Sequence, residues 1–213
     1  MATRTQTVAL AIGVGILSIV VGALSAHWML GRKESGTPEL VAGTAISPAR
    51  PLPPMHFIDQ AQHPFDANRL KGHWTFMFFG FTNCPDVCPT TLAMLAQVEK
   101  QLADLPQAQR PQVVFVSVDP ERDTPEKIAS YVKFFSPDFS GVTAPTSEIA
   151  AFTAAMGVPV AINKTADGGY TVDHSGAVFL INPQGEWRAL FSPPHQAKII
   201  AADYRNLVAA SRP

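Results

Sequence analysis

The 213-residue chain has little of three things: cysteine, net charge and repeated sequence. Its two cysteines are too few for the disulfide scaffold of a small secreted domain. The 16 basic and 17 acidic residues leave a net charge of −1, so nucleic acid is not indicated as a partner. No internal repeat is found, which excludes a repeat architecture.

Charge is also missing between Thr5 and Gly31, where the chain is mostly Val, Ile, Leu, Ala and Gly. As a helix, residues 8–30 would be about 35 Å long, enough to cross the hydrocarbon core of a membrane. Basic residues flank both ends of this run, so they do not fix its orientation. We expect an uncleaved transmembrane anchor; a signal peptide cleaved after the small residues near position 26 is the alternative.

The next stretch, residues 31–50, is rich in Gly, Pro, Ser, Thr and Ala and lacks apolar periodicity, which is typical of an extended linker. The expected organisation is a short tail over residues 1–7, an anchor over 8–30, a flexible linker over 31–50 and one folded domain over 51–213. No cysteine lies near the anchor, which argues against a lipoprotein.

Both cysteines stand in one stretch, around which the rest of the domain is organised. Residues 74–79 are continuously apolar and aromatic, which predicts a buried parallel strand. From Leu92 onward, apolar residues recur at helical spacing. Cys84 and Cys88 therefore lie in a strand-to-helix turn, the cysteine turn (residues 81–88), where a helix N-terminus favours a thiolate. Their spacing gives a wider bite than C-x-x-C, suited to clamping an ion as well as to closing a disulfide.

An inert structural disulfide is the alternative for this pair. A bridge that closes so small a loop would constrain the unfolded chain little. It would also contain no thiolate for the helix N-terminus to stabilise. We therefore interpret the pair as reactive or metal-binding.

The order of the remaining elements predicts an α/β fold. The sequence predicts a second buried strand over residues 113–118 and a helix over 124–135, with Asp123 at the start of a capping box. This βαβα order indicates a parallel sheet. Two hairpins with turns at residues 167–169 and 182–185 follow, and then a C-terminal amphipathic helix. Together these features predict a thioredoxin-like mixed sheet flanked by helices.

Among the six histidines, His174 is placed to take part in chemistry. It ends one predicted strand and precedes another, in a loop that lies against the cysteine turn in thioredoxin-like folds. With Cys84 and Cys88 it would form a soft site of two sulfurs and one nitrogen, which favours copper, whereas a structural zinc site would want a fourth ligand. Asp119 ends its strand on the same side of the sheet, where it would either orient His174 or cap the following turn.

Other polar residues near these motifs are interpreted as structural. Asp86, between the cysteines, is expected to be an exposed turn residue. The remaining histidines are expected to be surface, membrane-end or structural residues: His27, His56, His63, His73 and His195.

Three stretches resemble the Sco/SenC family: FGFTNCPDVCPTTL (79–92), SVDPERDTP (117–125) and VDHS (172–175). The similarity extends from about Pro54 to the C-terminus. It implies a membrane-anchored thioredoxin-like domain that binds copper, as Cu(I), Cu(II) or both, through Cys84, Cys88 and His174. The two cysteines would also be a redox pair.

The same resemblance implies a role in assembling the binuclear copper centre of cytochrome c oxidase subunit II. Further expected partners are other periplasmic copper chaperones, thiol reductases and, through the N-terminal helix, the membrane. The lack of an Arg-rich, Ser-rich presequence favours a single-pass protein of a bacterial inner membrane with its domain in the periplasm. Asn83 stands where the family often has histidine; it is not a ligand position, so we expect tuning rather than loss.

Two other functions would use the same cysteines. One is a thiol:disulfide oxidoreductase that reduces the cysteines of the oxidase subunit, and the other is a copper or redox sensor. C-x-x-C is the usual motif for dithiol exchange, and exchange requires no third ligand. The wider spacing and His174 therefore favour copper binding.

Overall fold

Two apolar runs of the sequence form neighbouring parallel strands inside one sheet. The residues of β4 (Thr75–Gly80) are all buried, and β5 (Gln112–Ser117) pairs with it in parallel, with Phe78 opposite Phe115. A third strand, β6 (Ser140–Thr143), continues the parallel set. Strands that are covered on both faces need apolar side chains throughout, and β4 and β5 supply them.

The computed structural model describes residues 38–166 and 168–211, together with Ser18 and Gly22. Apart from these two positions, the expected tail and transmembrane anchor lie outside the described residues. Within the described residues, no helix is long and apolar enough to cross a membrane.

The remaining strands are β1 Gly43–Pro51, β2 Phe57–Asp59, β3 Pro64–Phe65, β7 Val160–Lys164, β8 Tyr170–His174, β9 Val178–Ile181 and β10 Glu186–Phe191. The main sheet has the order β1-β10-β9-β4-β5-β6-β2-β3, and its pairs other than β4–β5 and β5–β6 are antiparallel. Strands β7 and β8 form a separate two-stranded sheet, the histidine hairpin. The predicted mixed sheet is therefore confirmed.

Helices flank the main sheet: α1 Val87–Gln101, α2 Pro125–Phe135, α3 Thr146–Ala155 and α4 Ala197–Ala210. Helix α1 buries Leu92 and Leu95, and α4, which contacts α1, buries Tyr204 and Leu207. In both helices the buried positions recur every three to four residues, as expected for an apolar face turned toward a core.

The start of α2 differs from the predicted capping box. Thr124, not Asp123, is the N-cap residue, and its hydroxyl accepts the N–H of Lys127. Asp123 is fully buried, and its carboxylate accepts hydrogen bonds from Thr82 and Ser117. The prediction for Asp123 is wrong because a carboxylate without solvent takes whichever donors the tertiary fold brings to it.

The folded domain begins before the predicted boundary at Pro51. Strand β1 pairs antiparallel with β10 at the edge of the main sheet. Ahead of it, the buried carboxylate of Asp203 on α4 accepts hydrogen bonds from three successive N–H groups, those of Val41, Ala42 and Gly43. The linker predicted over residues 31–50 is therefore wrong for its second half. The composition of this stretch suggests that its backbone N–H and C=O groups are free. In the structure they are hydrogen-bonded instead, to strand β10 and to the carboxylate of Asp203.

Candidate metal centre

The turn between β4 and α1 positions the two cysteines. Cys84 donates its N–H to the carbonyl oxygen of Phe81 at 3.2 Å. Cys88 is the second residue of α1, and its N–H donates to Cys84 Sγ at 3.4 Å. Cys88 is fully buried, whereas Cys84 is partly exposed and lines a surface cleft. One sulfur is thus held in the core and the other is open to solvent.

The close packing of Cys88 depends on Gly80 at the end of β4. A Cβ atom at this position would lie 2.8 Å from Cys88 Sγ and 2.8 Å from the ring of Phe115. Both distances are shorter than van der Waals contact allows, so only glycine fits without displacing the sulfur. The spacing of residues around Gly80 does not reveal this role, because Phe115 comes from a different strand.

His174, the last residue of β8, brings the third donor. Its Nε2 lies 3.3 Å from Cys88 Sγ, and its Nδ1 lies 3.0 Å from the carbonyl oxygen of Ser175. Because a carbonyl only accepts, Nδ1 carries the hydrogen of the neutral ring and Nε2 keeps its lone pair. The ligand atoms of the two cysteines and His174 lie within 4.8 Å of one another. The structure therefore brings together the three residues that the sequence predicted.

Burial decides the protonation of this group in the absence of metal. It raises the pKa of the Cys88 thiol, and this outweighs the backbone hydrogen bond at Phe81, which acts in the opposite direction. Burial also lowers the pKa of His174. A neutral thiol thus faces a neutral imidazole, and the expected preference for a thiolate is wrong for Cys88 as long as no cation replaces its proton.

Asp119 does neither of the two things expected from the sequence. It is buried in the loop after β5, and its carboxylate binds Nε of Arg122 and the hydroxyl of Tyr170, the latter at 2.7 Å. The His174 ring is held by Ser175 instead. The two interpretations failed because the partners of the Asp119 carboxylate are side chains, and one of them comes from 51 residues away.

A second buried carboxylate, which sequence reasoning missed, holds the cysteine turn in place. Asp123 accepts hydrogen bonds from the N–H of Thr82 at 3.0 Å, from the hydroxyl of the same residue, and from the hydroxyl of Ser117 at 2.7 Å. Thr82 lies in the cysteine turn and Ser117 ends β5, so one carboxylate ties the two together. The available signal is a charged residue in the loop between a buried strand and the next helix, a pattern that helix capping explains equally well.

The other singled-out residues lie outside the three-residue group. Asp86 is the exposed N-cap residue of α1 and makes no capping hydrogen bond with its side chain, while Asn83 is exposed in the turn. His56 Nδ1 lies 3.0 Å from a carboxylate oxygen of a glutamate on α3, and His195 contacts a backbone carbonyl. His27 lies outside the described residues.

Comparison with known proteins identifies the family of this chain. The sequence model of the SCO1/SenC family matches residues 44–209. Protein SCO2 homolog, mitochondrial, of Homo sapiens is 38% identical over 160 residues, which are 74% of this chain and 59% of that protein. The chain thus spans less than two thirds of the length of this relative.

Two solved structures are similar and hold copper. Arabidopsis thaliana ScoI with copper bound has a TM-score of 0.69 and 30% identity, over 74% of this chain and 98% of that one. Bradyrhizobium japonicum ScoI with copper bound has a TM-score of 0.66 and 33% identity, over 74% and 99%. The two sulfurs and one ring nitrogen described above form a donor set suited to copper. By the extent of the family match and by this site, the chain belongs to the SCO1/SenC family.

Proposed function

We propose that this protein is a copper carrier that takes up copper through Cys84, Cys88 and His174 and assists assembly of the binuclear copper centre of cytochrome c oxidase subunit II. The observation that carries the proposal is the group of three soft donors within 4.8 Å of one another, beside a surface cleft. Thiolates select Cu(I), and imidazole suits copper as well. The two copper-bound ScoI structures support the choice of metal.

Copper uptake would remove protons from the thiols of the site, while the positions of the donor atoms would change little. A bound thiol must lose its proton, and the copper–sulfur bond offsets the burial that keeps Cys88 protonated. The lone pair of His174 Nε2 already lies beside Cys88 Sγ. Cys84, the partly exposed donor, is the one that a thiolate of the acceptor protein would replace first during delivery.

We also infer that the domain lies in the periplasm of a bacterium, attached to the inner membrane by residues 8–30. The charge-free run of the sequence supports this placement, and periplasmic copper chaperones and thiol reductases are then within reach as partners. The protein should stay in membranes after a carbonate wash, with its domain open to protease added from the periplasmic side. Release of a shortened soluble form would instead support a cleaved signal peptide.

Anaerobic Cu(I) titration of the full-length chain tests the copper site. We expect His174→Ala to weaken Cu(I) binding by at least the roughly 10–100-fold that loss of a ligand's outer partner costs, since a direct ligand is lost. His56→Ala is the matched control, because that ring is exposed and is not one of the three donors. Copper loading of the oxidase should fall in parallel with affinity. Unchanged affinity in His174→Ala would exclude the three-donor site.

A thiol:disulfide oxidoreductase is the second candidate, and the unequal exposure of the cysteines favours it. Cys84 is accessible to an incoming disulfide, and buried Cys88 lies against it as a resolving thiol. Exchange needs no imidazole ligand. A reductase would therefore keep most of its exchange rate and its support of the oxidase in His174→Ala, whereas a copper carrier would keep exchange and lose oxidase loading.

A further inference from the structure

The histidine hairpin is attached to the domain differently from the cysteine turn. Strand β4, which leads into the turn, is hydrogen-bonded on both sides, to β5 and to β9. In the described part of the chain, β7 and β8 form a ladder only with each other. The position of His174 over the cysteines therefore depends on the short link from β8 to β9, on the packing of its ring on Phe78, and on other contacts between this hairpin and the rest of the domain.

One cluster makes such contacts at the opposite end of β8 from His174. We call it the arginine brace: Asp119, Arg122 and Tyr170. Arg122 donates from Nη1 to the carbonyl oxygen of Tyr170 at 2.8 Å and from Nε to the carboxylate of Asp119. The Tyr170 hydroxyl donates to the same carboxylate at 2.7 Å. The guanidinium also stacks on the Tyr170 ring, with Cζ 3.7 Å from the ring centroid.

The brace is linked to the copper site by position and by packing. Tyr170 and His174 are four residues apart on β8, so their side chains lie on the same face of the strand. Phe81, the first residue of the cysteine turn, fills the space between them. Its ring centroid lies 5.8 Å from Cζ of Arg122 and 5.8 Å from the ring of His174, which it meets edge-on. The guanidinium, Phe81 and the imidazole thus form a continuous set of contacts.

We propose that Arg122, held by Asp119 and Tyr170, is a positioning residue that fixes the histidine hairpin and so holds His174 Nε2 beside the cysteine sulfurs. This inference rests on the proposed copper site, because its purpose is to place the third ligand. The cysteines are also fixed by groups other than Arg122, namely β4, Gly80 and the carboxylate of Asp123. Loss of the brace therefore leaves a two-sulfur site with a loosely placed imidazole.

Arginine suits this task better than lysine would. Its planar fork donates in two directions at once, to a backbone carbonyl and to a carboxylate, while its face stacks on an aromatic ring. A lysine has neither the fork nor the plane. All three contacts are needed because together they join the loop after β5 to both the backbone and the side chain of Tyr170 on β8.

The test is a double-mutant cycle on Cu(I) affinity in the full-length chain. We expect Arg122→Met to weaken Cu(I) binding about 10-fold, the lower end of what outer partners of metal ligands contribute. In the His174→Ala background the same substitution should have no further effect, since Arg122 acts through the histidine. Tyr170→Phe, which keeps the stack and loses one hydrogen bond, should give a smaller loss. Arg205→Met is the control, because it removes an arginine ion pair on α4.

A readout on the metal-free protein keeps this test separate from that of the proposed function. Arg122→Met should speed amide hydrogen exchange in β7 and β8 and leave β4 and β5 protected. An equal loss of affinity with and without His174, or hairpin exchange equal to wild type, would overturn the positioning role. If His174→Ala itself leaves Cu(I) affinity unchanged, the three-donor site fails. Faster exchange confined to the hairpin would then still support the brace.

Discussion

The cysteine turn and the histidine hairpin contribute to one site, yet they are built in different ways. All six residues of β4, which carries the turn, are buried in a strand paired on both sides. Half of the ten strand positions of the hairpin are exposed, and Val172 is the one buried residue among them. The sulfurs are therefore placed by the core of the domain, and the imidazole is placed by the contacts that the hairpin makes with that core, including the edge-on packing of the His174 ring on Phe78 and Phe81.

This difference predicts that stability and metal binding are separable in this protein. Substitutions in the main sheet and its helices should lower the free energy of unfolding, and they should change copper affinity only where they touch the cysteine turn. Substitutions in the hairpin that touch the arginine brace or His174 should weaken copper binding and leave the free energy of unfolding nearly unchanged. Other substitutions in the hairpin should change both quantities little. The following predictions test this separation, from the largest expected effect to the smallest.

The strongest expected effect is on stability alone, at Asp203. Asp203→Ala leaves three backbone N–H groups near β1 without their acceptor. We expect the free energy of unfolding to fall by at least about 3 kcal/mol, since three hydrogen bonds to one buried carboxylate are lost and a hydrogen bond to a charged group contributes about 1.5–3 kcal/mol. Urea unfolding measures the loss, and Cu(I) affinity under native conditions should not change.

The control for this substitution is Asp104→Ala, which removes an exposed partner of Arg205, a residue of α4 like Asp203, and should change the unfolding midpoint little. A large loss of copper affinity in Asp203→Ala would break the separation, because this carboxylate lies outside the three-donor group.

The next largest effect is expected at Gly80, where a substitution should lower both the free energy of unfolding and the Cu(I) affinity. Gly80→Ala places a methyl group 2.8 Å from Cys88 Sγ and from the Phe115 ring. Overpacking of this kind costs about 1–3 kcal/mol of stability, and it should also weaken Cu(I) binding because the sulfur must move. Urea unfolding and Cu(I) titration measure the two losses.

A Cys88→Ala background provides the internal check on Gly80. Removing the sulfur relieves one of the two close contacts, so Gly80→Ala should cost less stability there than in the wild type. An equal cost in both backgrounds would mean that the Phe115 contact alone accounts for the destabilisation.

The smallest effect is expected within the histidine hairpin itself. Asn163→Ala removes an exposed hydrogen bond of 2.6 Å from Asn163 Nδ2 to Asp173. Stability should stay within about 0.5 kcal/mol of wild type, as for most surface substitutions, and Cu(I) affinity should not change. A tenfold loss of affinity would show that cross-strand contacts of the hairpin, rather than the arginine brace, hold His174.

Some features of the fold and site follow from short stretches of sequence. The apolar runs predicted β4 and β5, helical spacing predicted α1, and the position of Cys84 and Cys88 between strand and helix followed directly. These predictions succeed because their causes are local: side-chain periodicity records which faces of an element are covered. His174 was found in the same way, from its place between two strand patterns.

Other features depended on partners that a short window of sequence does not contain. Residues before Pro51 have the composition of a linker, yet the edge of β10 and the carboxylate of Asp203 draw them into the domain from about 150 residues away. Asp119 and Asp123 were assigned to nearby backbone or to His174, whereas Tyr170 and Thr82 are among their actual partners. Buried carboxylates take the donors that folding brings near them, and sequence spacing does not reveal those donors.

The sequence by itself determined the chemistry of this protein: two sulfurs at the start of a helix and one imidazole at the end of a strand. Only the tertiary structure decided how these donors are held, with Cys88 buried behind Gly80 and His174 on a hairpin fastened by Arg122. The physical reason is one of range. Donor identity is a property of single residues, whereas burial, protonation and the distance between ligands depend on groups that meet across 86 residues of chain.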